Sequence, residues 1–193
     1  VFPAGILQPP FFDRAGDPAF NLGAIGVVIG HELTHGFDDE GRKFDAEGHL
    51  SDWWTKQDAA KFEAKAQCLE DQYGSYESIP GVKLNGKLTL GENTADNGGV
   101  RLATMALASL EKTGTVPASV DGFTPEQRLY LGFAQVCCQK QTDQTARLLA
   151  HVDPHSPGRW RVIGPLSNTP EFAKAFSCKP GDPMVRAKAC RVW

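Results

Sequence analysis

His31, Glu32 and His35 stand in one run, His31-Glu32-Leu33-Thr34-His35, directly after the apolar stretch Ala24-Ile25-Gly26-Val27-Val28-Ile29-Gly30. On a helix, side chains four apart share a face about 5–6 Å apart, so two imidazoles can grip one zinc ion at about 2.0–2.1 Å each. Glu32 lies one step round the helix, where its carboxylate reaches an attacking water without binding the metal. That is the position of a general base. The competing reading is a solvent-facing helical stretch that happens to carry two histidines.

Two histidines leave the site incomplete, because catalytic zinc takes three protein ligands and keeps a fourth position open. A third histidine close behind, in the pattern His-Glu-x-x-His-x-x-Gly-x-x-His, would need Gly at 38 and His at 41; these are Asp38 and Gly41. The other solution is a carboxylate from a separate helix. Gly91-Glu92-Asn93-Thr94-Ala95-Asp96 supplies one, inside a stretch that reads as helix from about Leu88 to Leu110. Glu92 and Asp96 are four apart, so one face offers a metal ligand and a second carboxylate able to hold a ligand histidine by its free ring N–H. Taken alone that spacing describes a solvated helical face; following a zinc-binding helix, it becomes the leading candidate.

The elements that must position these groups are mostly helices. The first runs from about Asn21 to Phe37, and a second from about Asp52 to Tyr73, with Trp53 and Trp54 as packing anchors. Asn85-Gly86 is a turn signal ahead of the Glu92 helix. Thr124-Pro125-Glu126-Gln127 carries an N-cap, Pro at the first helical position and Gln at the third, which predicts a helix to about Gln139. A short helix spans Thr142 to Leu149, and Thr169-Pro170-Glu171 opens a last one to Phe176. The Pro/Gly-bearing stretch from His151 to Ser167 reads as a long functional loop between helices. No repeat, low-complexity tract or internal linker divides the chain, which predicts one domain over residues 1–193.

Composition frames the function. With 193 residues, 41% hydrophobic and 22% charged, the chain can bury a sizeable core. A net charge of −3 argues against a nucleic-acid or polybasic membrane surface, and no run of 18 apolar residues offers a membrane span. Val1 to Phe12 is broken by Pro3, Pro9 and Pro10 and lacks the basic leader and cleavage site of a signal peptide; a start at Val rather than Met reads as part of a longer product. None of the five cysteines sits in Cys-x-x-Cys spacing, so disulfides in an oxidising compartment are expected, against the alternative that all are reduced and buried. His49 and His151 belong to no motif. The acidic group Asp38-Asp39-Glu40 with Asp45 and Glu47 lacks the ligand spacing of an EF-hand and reads as turn.

His31 to Asp39 (His-Glu-Leu-Thr-His-Gly-Phe-Asp-Asp), Gly91 to Gly99 (Gly-Glu-Asn-Thr-Ala-Asp-Asn-Gly-Gly) and the closing Cys190-Arg191-Val192-Trp193 together resemble the neprilysin and endothelin-converting-enzyme family of zinc endopeptidases. Phe2 to Phe12 and Asp153-Pro154-His155-Ser156-Pro157-Gly158 match as well. The resemblance runs the length of the chain but covers only the C-terminal part of the family's much longer proteins. It implies a mainly α fold with little β, a portion of a thermolysin-like gluzincin catalytic domain with its helices around one zinc ion.

Carried over residue by residue, the resemblance implies His31, His35 and Glu92 as zinc ligands, Glu32 as base, and Asp38 and Asp96 as the carboxylates that orient the histidines. His155 would stabilise the oxyanion, where a donor already in place matters most, and Arg161 would hold a substrate backbone carbonyl with its planar guanidinium. Phe11, Val27, Val28, Val136 and Cys137 would line the pocket for a large hydrophobic residue after the cleaved bond. The family usually has tryptophan where this chain has Cys137; exchanging an indole for a thiol removes buried apolar surface and opens or reshapes that pocket. The resemblance also implies a Cys68–Cys190 disulfide, with Cys138 and Cys178 pairing to upstream cysteines absent from this chain.

The expected function is zinc-dependent hydrolysis of small peptides on the amino side of hydrophobic residues, in an extracellular or cell-surface setting. The expected partners are peptides and, as a second chain or fragment, the family's N-terminal portion. That portion supplies an Asn-Ala edge strand for the substrate backbone and a cap over the cavity. Its absence here leaves open a silent zinc-binding ectodomain acting as a receptor or interaction module, and, more weakly, a zinc hydrolase of another substrate class.

Overall fold

Asp17 caps the first helical run by accepting a hydrogen bond from the Phe20 amide, and Pro18 takes the first helical position, where its missing N–H costs nothing. The computed structural model describes all residues, Val1–Trp193. From that cap the chain stays helical through α1 (Pro18–Asn21), a wider π-turn segment (Leu22–Gly26), α2 (Val27–Thr34) and a tight 3-10 turn (His35–Phe37). The helix expected from Asn21 therefore begins three residues earlier. Its π segment lies one turn before the histidines, in keeping with the tendency of such bulges to mark functional sites.

Thr55 caps α3 (Lys56–Gly74), Thr124 and Gln127 form the reciprocal capping box of α5 (Pro125–Val136), and Thr142 caps α6 (Asp143–Val152). Helix α4 (Leu90–Glu111) carries the Glu92 motif. A hairpin of β1 (Glu77–Ile79) and β2 (Val82–Lys83), turning at Gly81 with φ +78°, is the only paired-strand element. Asn85-Gly86 turns the chain into α4, with Asn85 Oδ1 accepting from the Leu88 amide.

One expectation fails. The stretch His151 to Ser167 is not a long loop: α6 extends to Val152, and α7 (Gly158–Ser167) fills the rest, leaving five linking residues. Gly164 and Pro165 disguise this helix. The glycine is a contact device, since a Cβ there would overlap the Tyr73 ring of α3, and Pro165 sits in the last turn with only one interior hydrogen bond to forgo. Helix α8 (Pro170–Ala175) follows at once.

The principal core gathers Ala19, Val27, Val100, Leu107, Leu129, Tyr130, Phe133 and Leu166 from α1, α2, α4, α5 and α7. Within it α2 crosses α4 at backbone contact. A Cβ on Gly99 would fall 2.8 Å from the His31 amide nitrogen, and one on Gly98 would overlap the Thr34 side chain. Only glycines allow so close an approach, and it brings the two motif-bearing helices within reach of one ion. A second cluster packs Phe62, Leu69, Tyr73 and Leu90 against Cys190 and Val192 of the C-terminal tail.

That tail is tied back by the Cys68–Cys190 disulfide, whose partners are 122 residues apart. Cys137, Cys138 and Cys178 are free thiols. A cross-link closing so long a loop removes much unfolded-state entropy. Replacing Cys190 by Ser is expected to lower the unfolding free energy by about 2–5 kcal/mol, measured by urea denaturation; an unmoved midpoint would show that the tail is held by packing alone.

Candidate metal centre and active site

His31 projects from the last turn of α2 and His35 from the turn that follows, so the four-residue spacing puts both rings on one face with centroids 4.5 Å apart. Glu92 comes from the first turn of α4 across the glycine crossing. His31 Nε2 lies 3.3 Å from Glu92 Oε2, and His35 Nε2 lies 3.5 Å from Glu92 Oε1. One ligand atom from each of the three lies within 4.8 Å of the others.

The opposite ring edges are spoken for. His31 Nδ1 is 2.8 Å from Asp96 Oδ1, and His35 Nδ1 is 2.7 Å from Asp38 Oδ2. Carboxylates accept only, so each Nδ1 carries its proton toward its aspartate, and in the neutral ring each Nε2 is left with a lone pair. Those two lone-pair nitrogens stand 2.9 Å apart beside Glu92 Oε2, a buried oxygen with no hydrogen bond of its own. Three basic atoms pointed at one spot call for positive charge, which a proton or a metal cation can supply. Their donor types, two imidazoles and a carboxylate, are those zinc takes, so the residues fit the metal.

The electrostatics show the same demand for positive charge. Burial works against a charged His31 ring, yet the carboxylates of Asp96 and Glu92 outweigh it and hold its pKa up at about 9, so a proton meets that demand where a metal does not; His35 is raised mainly by Asp38. Burial alone would lift Asp96, but Arg161 overcomes it and keeps the carboxyl below its ordinary range. Glu92 is lowered likewise, burial being outweighed by His31, His155 and His35. Asp38 stays ionised through His35 and the amides of Gly41 and Glu40, the latter reaching its Oδ1 at 2.9 Å.

Arg161, on α7, lays its guanidinium flat on Asp96, with Nε 2.8 Å from Oδ2 and Nη2 2.7 Å from Oδ1. Asp96 thus serves the histidine and the arginine at once. His155 lies in the link before α7, its Nε2 3.3 Å from Glu92 Oε2 and its Nδ1 2.9 Å from Asp153 Oδ1.

Beside these groups opens a cavity of about 470 Å³. Every residue expected of the pocket lines it: Phe11, Val27, Val28, Val136 and Cys137, together with His31, Glu32, Asp96, His155 and Arg161. The Cys137 thiol forms part of the wall, and burial pushes its pKa up to about 12, which keeps it neutral. Sequence reasoning missed Phe133 and Leu149 of the lining, and it missed Asp153, although an aspartate two residues before His155 is a recognisable turn former whose carboxylate reaches the amide ahead.

Two crossing helices that offer two histidines and a glutamate at the edge of a cleft, in a mainly helical body, define the gluzincin class of zinc metallopeptidase scaffold. Within that class the chain belongs to peptidase family M13, whose model matches residues 1–192. Human endothelin-converting enzyme 1 is 47% identical over 195 residues and Neprilysin-1 of Caenorhabditis elegans 50% over 199, each matching 100% of this chain. The chain spans 25% and 26% of their respective lengths. The zinc metalloprotease ZMP1 of Mycobacterium tuberculosis, solved in complex with an inhibitor, superposes on all of it with a TM-score of 0.93 at 42% identity, over 30% of the ZMP1 chain.

Proposed function

We propose that this chain is the C-terminal part of the catalytic domain of a zinc endopeptidase that cuts small peptides on the amino side of hydrophobic residues. The observation that carries the reading is the convergence of His31 Nε2, His35 Nε2 and a Glu92 carboxylate beside a partly apolar cavity that Glu32 also lines. His31, His35 and Glu92 would hold one zinc ion, which when bound polarises the scissile carbonyl and makes water a better nucleophile at neutral pH.

The chain's own side chains do the rest. Glu32 takes the proton of the attacking water and returns it to the departing amine nitrogen. In its protonated form His155 donates Nδ1–H to Asp153 and Nε2–H to the carbonyl oxygen as negative charge builds there. Arg161 keeps two of its N–H groups on Asp96 and turns the remaining fork toward the substrate backbone. Asp38 and Asp96 hold both histidines in the tautomer that leaves Nε2 free for the metal. Phe11, Val27, Val28, Val136 and Cys137 receive the hydrophobic side chain after the cut.

No helix is long and apolar enough to cross a membrane. The disulfide fits an oxidising, extracellular or cell-surface location. An upstream portion, on the same or a second chain, would complete the cleft. A silent receptor role finds no support in a site whose catalytic side chains are all present.

The test is a panel of internally quenched peptides that differ only in the residue after the cleavage point, assayed with the zinc-loaded protein in its full natural length. Cleavage before Phe and Leu, abolished by a chelator and restored by zinc, is the expected result. Cleavage indifferent to chelation, or none with zinc bound, would overturn the reading.

A further inference from the structure

The link between α6 and α7 has to hold His155 steady over Glu92, yet His155 is itself exposed and reaches no part of α4 except through its ring. Asp153 fixes the ring relative to the link: its Oδ1 accepts from both the backbone N–H and Nδ1 of His155, each at 2.9 Å. That bond says nothing about where the link sits on α4. Ser156 does. It is buried, and its hydroxyl donates to Asn93 Oδ1 at 2.8 Å. Asn93, the residue after Glu92, is fully buried and donates from Nδ2 to Thr89 Oγ1 at 2.8 Å, which sets which way its amide faces. A buried hydroxyl without a partner is costly, and Asn93 is the partner this one has.

We propose that Asn93 and Ser156 form a positioning pair that pins the His155 link to the first turns of α4, so that the His155 ring and the Glu92 carboxylate keep their spacing through the reaction. Adjacent residues on α4 then have separate tasks: Glu92 faces the metal position and Asn93 anchors the loop that stabilises the oxyanion. Ser156 borders the cavity, but its hydroxyl is turned to Asn93, so the pair acts through His155. This inference rests on the role proposed above for His155.

A double-mutant cycle in the zinc-loaded full-length enzyme tests it, because residues acting as one unit have non-additive effects. His155→Ala is expected to lower kcat about 10²-fold, the scale for loss of one oxyanion donor. Ser156→Ala, which removes one oxygen and leaves the backbone alone, is expected to lower kcat about 10-fold with KM and zinc content nearly unchanged and the melting temperature modestly lowered, because the buried Asn93 oxygen loses its partner. Asn93→Ala, which removes the acceptor from the other side, should give the same pattern. In the His155→Ala background either change should alter kcat by less than about 2-fold. Full multiplication of the effects, or unchanged kcat in Ser156→Ala, would overturn the pair as a positioning device. Full activity of His155→Ala would instead defeat the role of His155, and the pair with it.

Discussion

Glu32→Gln is expected to abolish peptide cleavage while leaving zinc bound. The carboxylate lies on the cavity wall beside His31 and His155, and it is not among the three groups whose donor atoms converge. An amide of the same shape keeps the contacts of the side chain and loses its ability to take a proton. Removing a positioned general base typically costs about 10²–10⁴-fold in rate, equivalent to about 3–5 kcal/mol of barrier. The change should appear in kcat, with peptide affinity and metal content as in the parent. Turnover within a few-fold of the parent would assign the proton transfer to another group.

Glu92→Ala is expected to remove the metal. Loss of an outer hydrogen-bond partner typically weakens a zinc site by about 10–100-fold, and loss of a direct ligand should exceed this. Two imidazole nitrogens 2.9 Å apart remain, with no anionic ligand facing them. Because a ligand that binds only the folded state adds stability that grows with its concentration, the parent should melt at a higher temperature when zinc is supplied. The variant should show no such rise and should contain little zinc by elemental analysis after dialysis. A variant that stays fully loaded would place the ligand elsewhere.

Much of this was legible in the residue order. The two histidines four apart, the rejection of a third histidine by Asp38 and Gly41, and the Glu92–Asp96 pair led to the cluster seen in the fold. Thr124-Pro125 with Gln127 told where α5 begins, because caps and Pro at the first position act locally. Three things were hidden, each by a long-range cause. Helix α7 was masked by Gly164 and Pro165, whose reason is the Tyr73 ring on a distant helix. The double service of Asp96 to His31 and Arg161 spans 65 residues in either direction. The anchoring of Ser156 by Asn93 joins a buried serine and a buried asparagine that nothing in their local sequence singles out. Asp17-Pro18 is a different case: the signal for an earlier helix start stood in plain view.

X-ray absorption at the zinc edge on the zinc-loaded protein reads the ligands proposed for the ion, two histidine nitrogens and one glutamate oxygen. A first shell of nitrogen and oxygen alone at about 2.0–2.2 Å with two imidazole rings behind it is expected, as is the loss of that signature in Glu92→Ala. A sulfur scatterer at about 2.3 Å, drawn from the free thiols of Cys137, Cys138 or Cys178, or a shell with a single imidazole, would contradict that ligand set.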